Sequence, residues 1–171
     1  MDRTVRTSAA LTTPTPPSGE AFDDPDIQFW HTRRLDSDTE AREWLESWRR
    51  RWDAETDASW AIARAGDDAA VGQVGLRAIF LEGAQAQISY WVLPEARQQR
   101  LAAGASEALA EWSFRQLKLQ RLYLQHSVRN VGSCAVATSA HFPLEGTSRR
   151  HMLHTDGWHD VHVHARVNPA S

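Results

Sequence analysis

A single cysteine, Cys134, is present in 171 residues, so no internal disulfide can form. That usage suits a reducing compartment. No run approaches the roughly 18 apolar residues that a membrane-spanning helix needs. No apolar stretch follows the N-terminal Arg3 and Arg6, which argues against a secretory signal. The net charge is only −3, too small to point to nucleic acid or an anionic membrane surface as a partner. These absences lead to the expectation of a cytoplasmic protein without membrane or nucleic-acid partners. What is present is ordinary for one compact domain, with 42% hydrophobic and 24% charged residues. Tryptophan is the exception, at 8 residues, expected as core and as pocket walls.

Residues 1–20 are rich in Thr, Ser, Ala and Pro, with Pro14, Pro16 and Pro17 close together. They are expected to form a disordered tail, with room for a short strand around Val5. Residues 21–171 are expected to form a single domain. Trp44, Leu45, Trp48 and Trp52 make an apolar stripe at helical spacing, with Arg49 to Arg51 near its end. Residues 59–64, 70–80 and 83–93 read as an antiparallel meander with short connections. A helix over 101–117, a strand over 119–128 and a helix over 130–141 follow. Residues 144–153 and 158–167 form a last hairpin around Thr155-Asp156-Gly157. In its second strand Val161, Val163, Ala165 and Val167 alternate with His162, His164 and Arg166. Strands in runs with helices inserted late give an α+β class with a mixed, mostly antiparallel sheet.

The chain is organised around residues 88–108, ISYWVLPEARQQRLAAGASEA. Both faces of Ile88 to Leu93 are apolar, as in a buried central strand. Pro94 ends it. From Leu101 the apolar spacing becomes helical. A strand that feeds a helix through a short loop gathers backbone N–H groups and the positive end of the helix dipole at one spot, a natural phosphate site.

This strand–PEARxxxLA–helix stretch resembles the acyl-CoA pyrophosphate loop of the GNAT superfamily of N-acetyltransferases, and within it the Rim-type branch. The resemblance continues through Arg129-Asn130-Val131-Gly132-Ser133, Ala140 to Gly146 and Asp156 to Val161, and covers roughly residues 36–167. It implies a GNAT fold whose sheet splays between its two central strands. It also implies transfer of acetyl from acetyl-CoA to a primary amine, on a peptide or protein N-terminus or a small molecule. Tyr90, Trp91 and Val92 would face the thioester. Arg97, Gln98, Arg100, Leu101 and Ala102 would hold the pyrophosphate. Asn130 and Ser133 would meet the pantetheine, with Ser133 protonating the departing thiolate. Strand and helix edges of this fold often pair, so a homodimer is open.

The loop departs from the family at Arg100, which stands where glycine is expected. Its side chain either blocks the backbone's approach to phosphate or supplies a contact of its own. That departure leaves two alternatives: a donor other than acetyl-CoA, such as another acyl thioester or an aminoacyl-tRNA, or a catalytically silent binding module. The position of a family glutamate base falls on Met152, which takes no proton. His154 shares that strand face and is the candidate base, with Glu145 as another. Trp30, His31 and Trp91 are candidate walls of the acceptor pocket, although Phe29 and Trp30 also read as plain core. His159, His162 and His164, with His151 and His154, invite a metal reading. Without a matching acidic or Cys cluster no metal is expected. Cys134 as a nucleophile paired with a His is a further reading, and a buried helix Cys is the simpler one.

Overall fold

The computed structural model describes residues 24–31, 38–64 and 67–170. The expected tail and the strand around Val5 lie outside them. The described chain runs α1 (Pro25–Trp30), α2 (Asp38–Asp53), β1 (Ala58–Ala63), β2 (Ala70–Phe80), β3 (Gln85–Val92), a 3₁₀ turn (Pro94–Ala96), α3 (Leu101–Gln116), β4 (Arg121–Ser127), α4 (Val131–Ser139), β5 (Leu144–His154) and β6 (Gly157–Val167). The expected elements are all present, with ends displaced by a residue or two as fraying and caps dictate. The third strand starts at Gln85, after the turn around Gly83, because the chain is still reversing there.

The six strands form one sheet in the order β1-β2-β3-β4-β6-β5. Every pairing is antiparallel except β3 with β4. That parallel pair holds only from Gln85↔Arg121 to Gln87↔Tyr123. Beyond it the two strands part, and the gap between them is the defining feature of the molecule. On the other side of β3 the ladder to β2 is tight. Gly72 faces Val92, and a Cβ at Gly72 would stand 2.4 Å from the Trp91 carbonyl oxygen. Only glycine permits that approach.

Both faces of the sheet are covered. Ile88 and its neighbours on β3 point into a large core with Val74, Leu76, Leu122 and Leu124, closed by Leu109 and Phe114 of α3 and Ala137 of α4. Small residues at Ala102, Ala103, Ala105 and Ala110 let α3 lie close to the strands. Trp91 and Leu93 point the other way, into a smaller core with Ile27 of α1 and Trp44 of α2. A β3 apolar on both faces is therefore covered on both, as its sequence demands.

The alternation in β6 has an outcome its pattern does not suggest. Pairing sets His164 opposite Leu124 and His162 opposite His126. Directly opposed residues share a face, so the His162/His164/Arg166 side looks toward the helices. Arg166 stacks its guanidinium 5.9 Å from the centre of the Phe114 ring on α3. His164 is 2% exposed. The stripe is thus turned inward, with His164 buried and His162 and Arg166 half-buried.

Candidate functional site

Where β3 and β4 part, a cavity of about 720 Å³ opens. Its walls come from the second halves of β3 and β4, the first turns of α3 and α4, the short α1 and the end of β5. Every residue expected in the site lies in this wall except Glu145.

Strand geometry supplies the first chemical feature. Leu93 donates its N–H to Val71 on β2 at 2.8 Å. Along an antiparallel strand the N–H groups alternate sides, so those of Tyr90 and Val92 turn from β2 toward the gap, where β4 no longer takes them. They are placed to donate to an oxygen in the cleft. The Tyr90 hydroxyl donates to the Ser133 carbonyl at 3.3 Å, which ties β3 to the start of α4. Burial pushes that phenol up to about 12, so it stays a neutral donor.

The start of α4 supplies the second. Asn130 is its N-cap, its side-chain oxygen accepting the Ser133 N–H at 2.9 Å. The cap sets Ser133 at the cavity wall. Expected to meet the pantetheine, Asn130 has its Oδ1 committed to the helix, and only its amide N–H₂ remains to give.

The start of α3 supplies the third. The N–H groups of Leu101, Ala102 and Ala103 occupy its first turn and have no intrahelical acceptor. Arg100 precedes them at φ 60°, ψ 15°, in the left-handed region. Gln98 is also left-handed, at φ 60°. The loop therefore adopts at Arg100 a conformation glycine would favour, and the arginine side chain is exposed with no ion pair among the described residues. Arg97 is placed differently from expectation. Its guanidinium grips Asp24 at 2.6 Å and Asp26 at 2.8 Å, and so fastens α1 to the loop. Burial works to raise the Asp24 carboxyl. The Ile27 N–H and Arg97 outweigh it and hold it below the usual carboxylate range. Of the two arginines expected on pyrophosphate, only Arg100 has its charge unengaged.

The end of β5 supplies the fourth. His154 is 8% exposed and stacks on Phe29, with Trp30 edge-on to it. Its Nδ1 lies 3.0 Å from the Phe29 carbonyl oxygen. A carbonyl only accepts, so Nδ1 carries the proton and Nε2 bears the lone pair. That Nε2 is buried and has no hydrogen-bond partner among the described residues. Met152 shares the cavity wall with it, while His151 points away and is exposed. His31 stands nearby. Burial, with Arg77 adding to it, pushes it down to about 4, so it is neutral at physiological pH.

Glu145 does not belong to this site. It sits at the opposite end of β5, exposed, with its carboxylate bridged to the Arg121 guanidinium. That hydrogen bond lowers its affinity for a proton, the reverse of what a base needs. Glu145→Gln is expected to leave kcat within about twofold of the parent, well below the 10²–10⁴ that a working base supplies; steady-state kinetics checks it.

The structure also joins residues the sequence did not connect. The Ser127 hydroxyl lies 2.8 Å from His159 Nδ1, and His159 Nε2 lies 2.8 Å from Asp156 Oδ1. A carboxylate only accepts, so His159 carries its proton on Nε2 and Ser127 donates to Nδ1. Arg129 braces the same Asp156 at 2.8 Å. This network locks the end of β4 to the β5–β6 turn beside His154, whose ring centre is 4.3 Å from that of His159. The Asp156-x-x-His159 spacing was its only trace in the sequence.

Comparison with known proteins agrees with this architecture. The family model described as Acetyltransferase (GNAT) domain matches residues 16–143. A probable N-acetyltransferase, YjcK of Bacillus subtilis, is 27% identical over 129 residues, covering 75% of this chain and 71% of that protein. The ribosomal-protein-S5-alanine acetyltransferase of Vibrio fischeri superposes with a TM-score of 0.80 at 15% identity, covering 90% of this chain and 87% of its own. RimL, a ribosomal L7/L12 alpha-N-protein acetyltransferase solved in complex with coenzyme A, gives 0.72 at 24% identity, with coverages of 79% and 75%.

Proposed function

The chain belongs to the GNAT acetyltransferase family, and from that membership we propose that it moves an acetyl group from acetyl-CoA to a primary amine by direct attack. The observation that carries this reading is the parting of β3 from β4 after three residue pairs. It leaves the Tyr90 and Val92 N–H groups turned into a cavity that also receives a helix N-terminus and an imidazole nitrogen with no partner among the described residues. A relative of the same fold is described in complex with coenzyme A.

Acetyl-CoA supplies the acetyl group as an activated thioester. The first turn of α3 and the Arg100 guanidinium bind the pyrophosphate. The N–H groups of Tyr90 and Val92 stabilise negative charge as it develops on the thioester oxygen. One such donor is worth about 3 kcal/mol when aimed at that charge. His154 Nε2 takes the proton that the attacking amine must lose. Ser133 Oγ gives a proton to the thiolate as it leaves.

The acceptor end is walled by Trp30, His154, Met152 and the neutral His31, with Phe29 stacked against His154. Among the described lining residues the one carboxylate is Asp26, and Arg97 holds it. A polyamine wants free carboxylates. This wall instead suits a single amine on an apolar or aromatic body, as at a peptide N-terminus.

Calorimetric titration with acetyl-CoA and with CoA tests the donor, followed by a screen of peptide N-termini and small amines. Micromolar binding with turnover of an N-terminal amine supports the assignment. No binding at millimolar acetyl-CoA would sink it and direct the search to other acyl donors.

A further inference from the structure

Behind the cavity wall, β4, α4 and β6 bring together His126, Cys134, His162 and His164. One candidate ligand atom from each lies within 4.8 Å of the others. His126 and His164 are 4% and 2% exposed. None of this is visible as a sequence motif, because the four come from three elements and the β4–β6 ladder is what brings His126 beside His162 and His164.

The hydrogen bonds around the two buried rings decide what they can do. His126 Nδ1 lies 2.7 Å from the Ser127 carbonyl oxygen, and His164 Nδ1 lies 2.9 Å from that of Phe142. Carbonyl oxygens only accept, so both rings carry their proton on Nδ1. Their Nε2 lone pairs then face each other at 3.2 Å. Two lone pairs at that distance repel unless a cation stands between them. A shared proton would require one ring to be an imidazolium. Both rings are buried, which disfavours a charged imidazolium there. A metal ion satisfies both lone pairs at once. In a tetrahedral zinc site with Zn–N bonds of about 2.0–2.1 Å, ligand nitrogens are separated by about 3.3–3.4 Å. The observed spacing is close to that edge. Carbonyls that fix the tautomer of a ligating histidine through its far nitrogen are the usual outer support of such sites. The remaining two residues fit the same chemistry. His162 has a buried Nδ1 with no hydrogen-bond partner among the described residues, and Cys134 is a free thiol.

We propose that His126, Cys134, His162 and His164 form a four-ligand site for Zn²⁺. On coordination the Cys134 thiol gives its proton to solvent and binds as thiolate, and the three imidazoles bind neutral. Three side-chain nitrogens and one sulfur suit zinc rather than magnesium or calcium, which take oxygen ligands. With all four positions filled by protein the site is closed, and its role is structural. It clamps the start of α4, which carries Ser133, onto β4 and β6, and His126 at the same time forms part of the cavity wall. The inference stands on this geometry and does not depend on the acetyl donor.

The test uses the full chain without a polyhistidine tag, purified with no chelator. Elemental analysis is expected to find zinc in a one-to-one ratio. After chelator treatment, Co²⁺ is expected to give the intense visible bands of a tetrahedral site and a thiolate-to-cobalt charge-transfer band, both saturating at one equivalent. Cys134→Ser should abolish the charge-transfer band. His151→Ala, a change of an exposed histidine outside the cluster, should alter nothing. A folded parent chain that is metal-free and gives no cobalt spectrum overturns the proposal. Cobalt bands of equal strength in the parent and in Cys134→Ser overturn the ligand set. Because the cobalt titration is read on the parent chain, a variant that fails to fold does not spoil the test.

Discussion

Replacing His154 with glutamine is expected to lower kcat by about 10²–10⁴-fold, the range a positioned general base supplies. The substitution is chosen for its hydrogen bonds. A glutamine amide can still donate toward the Phe29 carbonyl that His154 Nδ1 now contacts. It cannot take a proton from an amine. The packing of Phe29 and Trp30 against the ring is partly kept, so the melting temperature should move little while turnover collapses. The binding constant for acetyl-CoA should hold, because in the proposed reading His154 meets the amine and the first turn of α3 meets the phosphates. Full activity in a folded His154→Gln chain would remove His154 from the mechanism and leave a water chain to carry the proton.

The placement of His154 beside Met152 in the cavity wall shows what strand periodicity makes legible and where it stops. The residue shares a strand face with Met152, and a period of two fixes that relation without any knowledge of pairing. The strands themselves were legible for the same reason, since turn residues at Gly66, Gly83 and Gly157 punctuate clear alternations. What stayed hidden depends on which strand lies beside which. The last strand, β6, inserts between β4 and β5, so its histidines meet His126. Nothing local in residues 157–167 announces that neighbour. The same gap in knowledge made Glu145 look available. Its partner Arg121 lies 24 residues earlier in the chain and reaches it only once the sheet is assembled. Arg97 matched the family's loop and Arg100 departed from it. Asp24 and Asp26, more than 70 residues away, captured one and left the other free.

Arg100→Gly is expected to weaken acetyl-CoA binding while leaving the fold as stable as before or slightly more so. The two effects have separate causes and opposite signs. Arg100 already holds φ 60°, ψ 15°, so glycine brings no backbone conformation that the loop lacks. A non-glycine residue in that region carries strain of roughly 1–2 kcal/mol. Glycine relieves it, and the greater freedom of the unfolded chain takes back about 0.5–1 kcal/mol. The net gain is at most about 1.5 kcal/mol, read as a small rise in melting temperature. The side chain is a different matter. It is exposed beside the first turn of α3, it has no ion pair among the described residues, and it stands in the cavity wall. A hydrogen bond from it to a phosphate oxygen is worth about 1.5–3 kcal/mol. Its loss should weaken binding roughly ten- to hundredfold, with less sensitivity to salt than in the parent. Tighter binding in the variant would mean that the guanidinium obstructs the loop. Arg100 would then be a brake on donor binding, and glycine would restore an approach to phosphate that the arginine prevents.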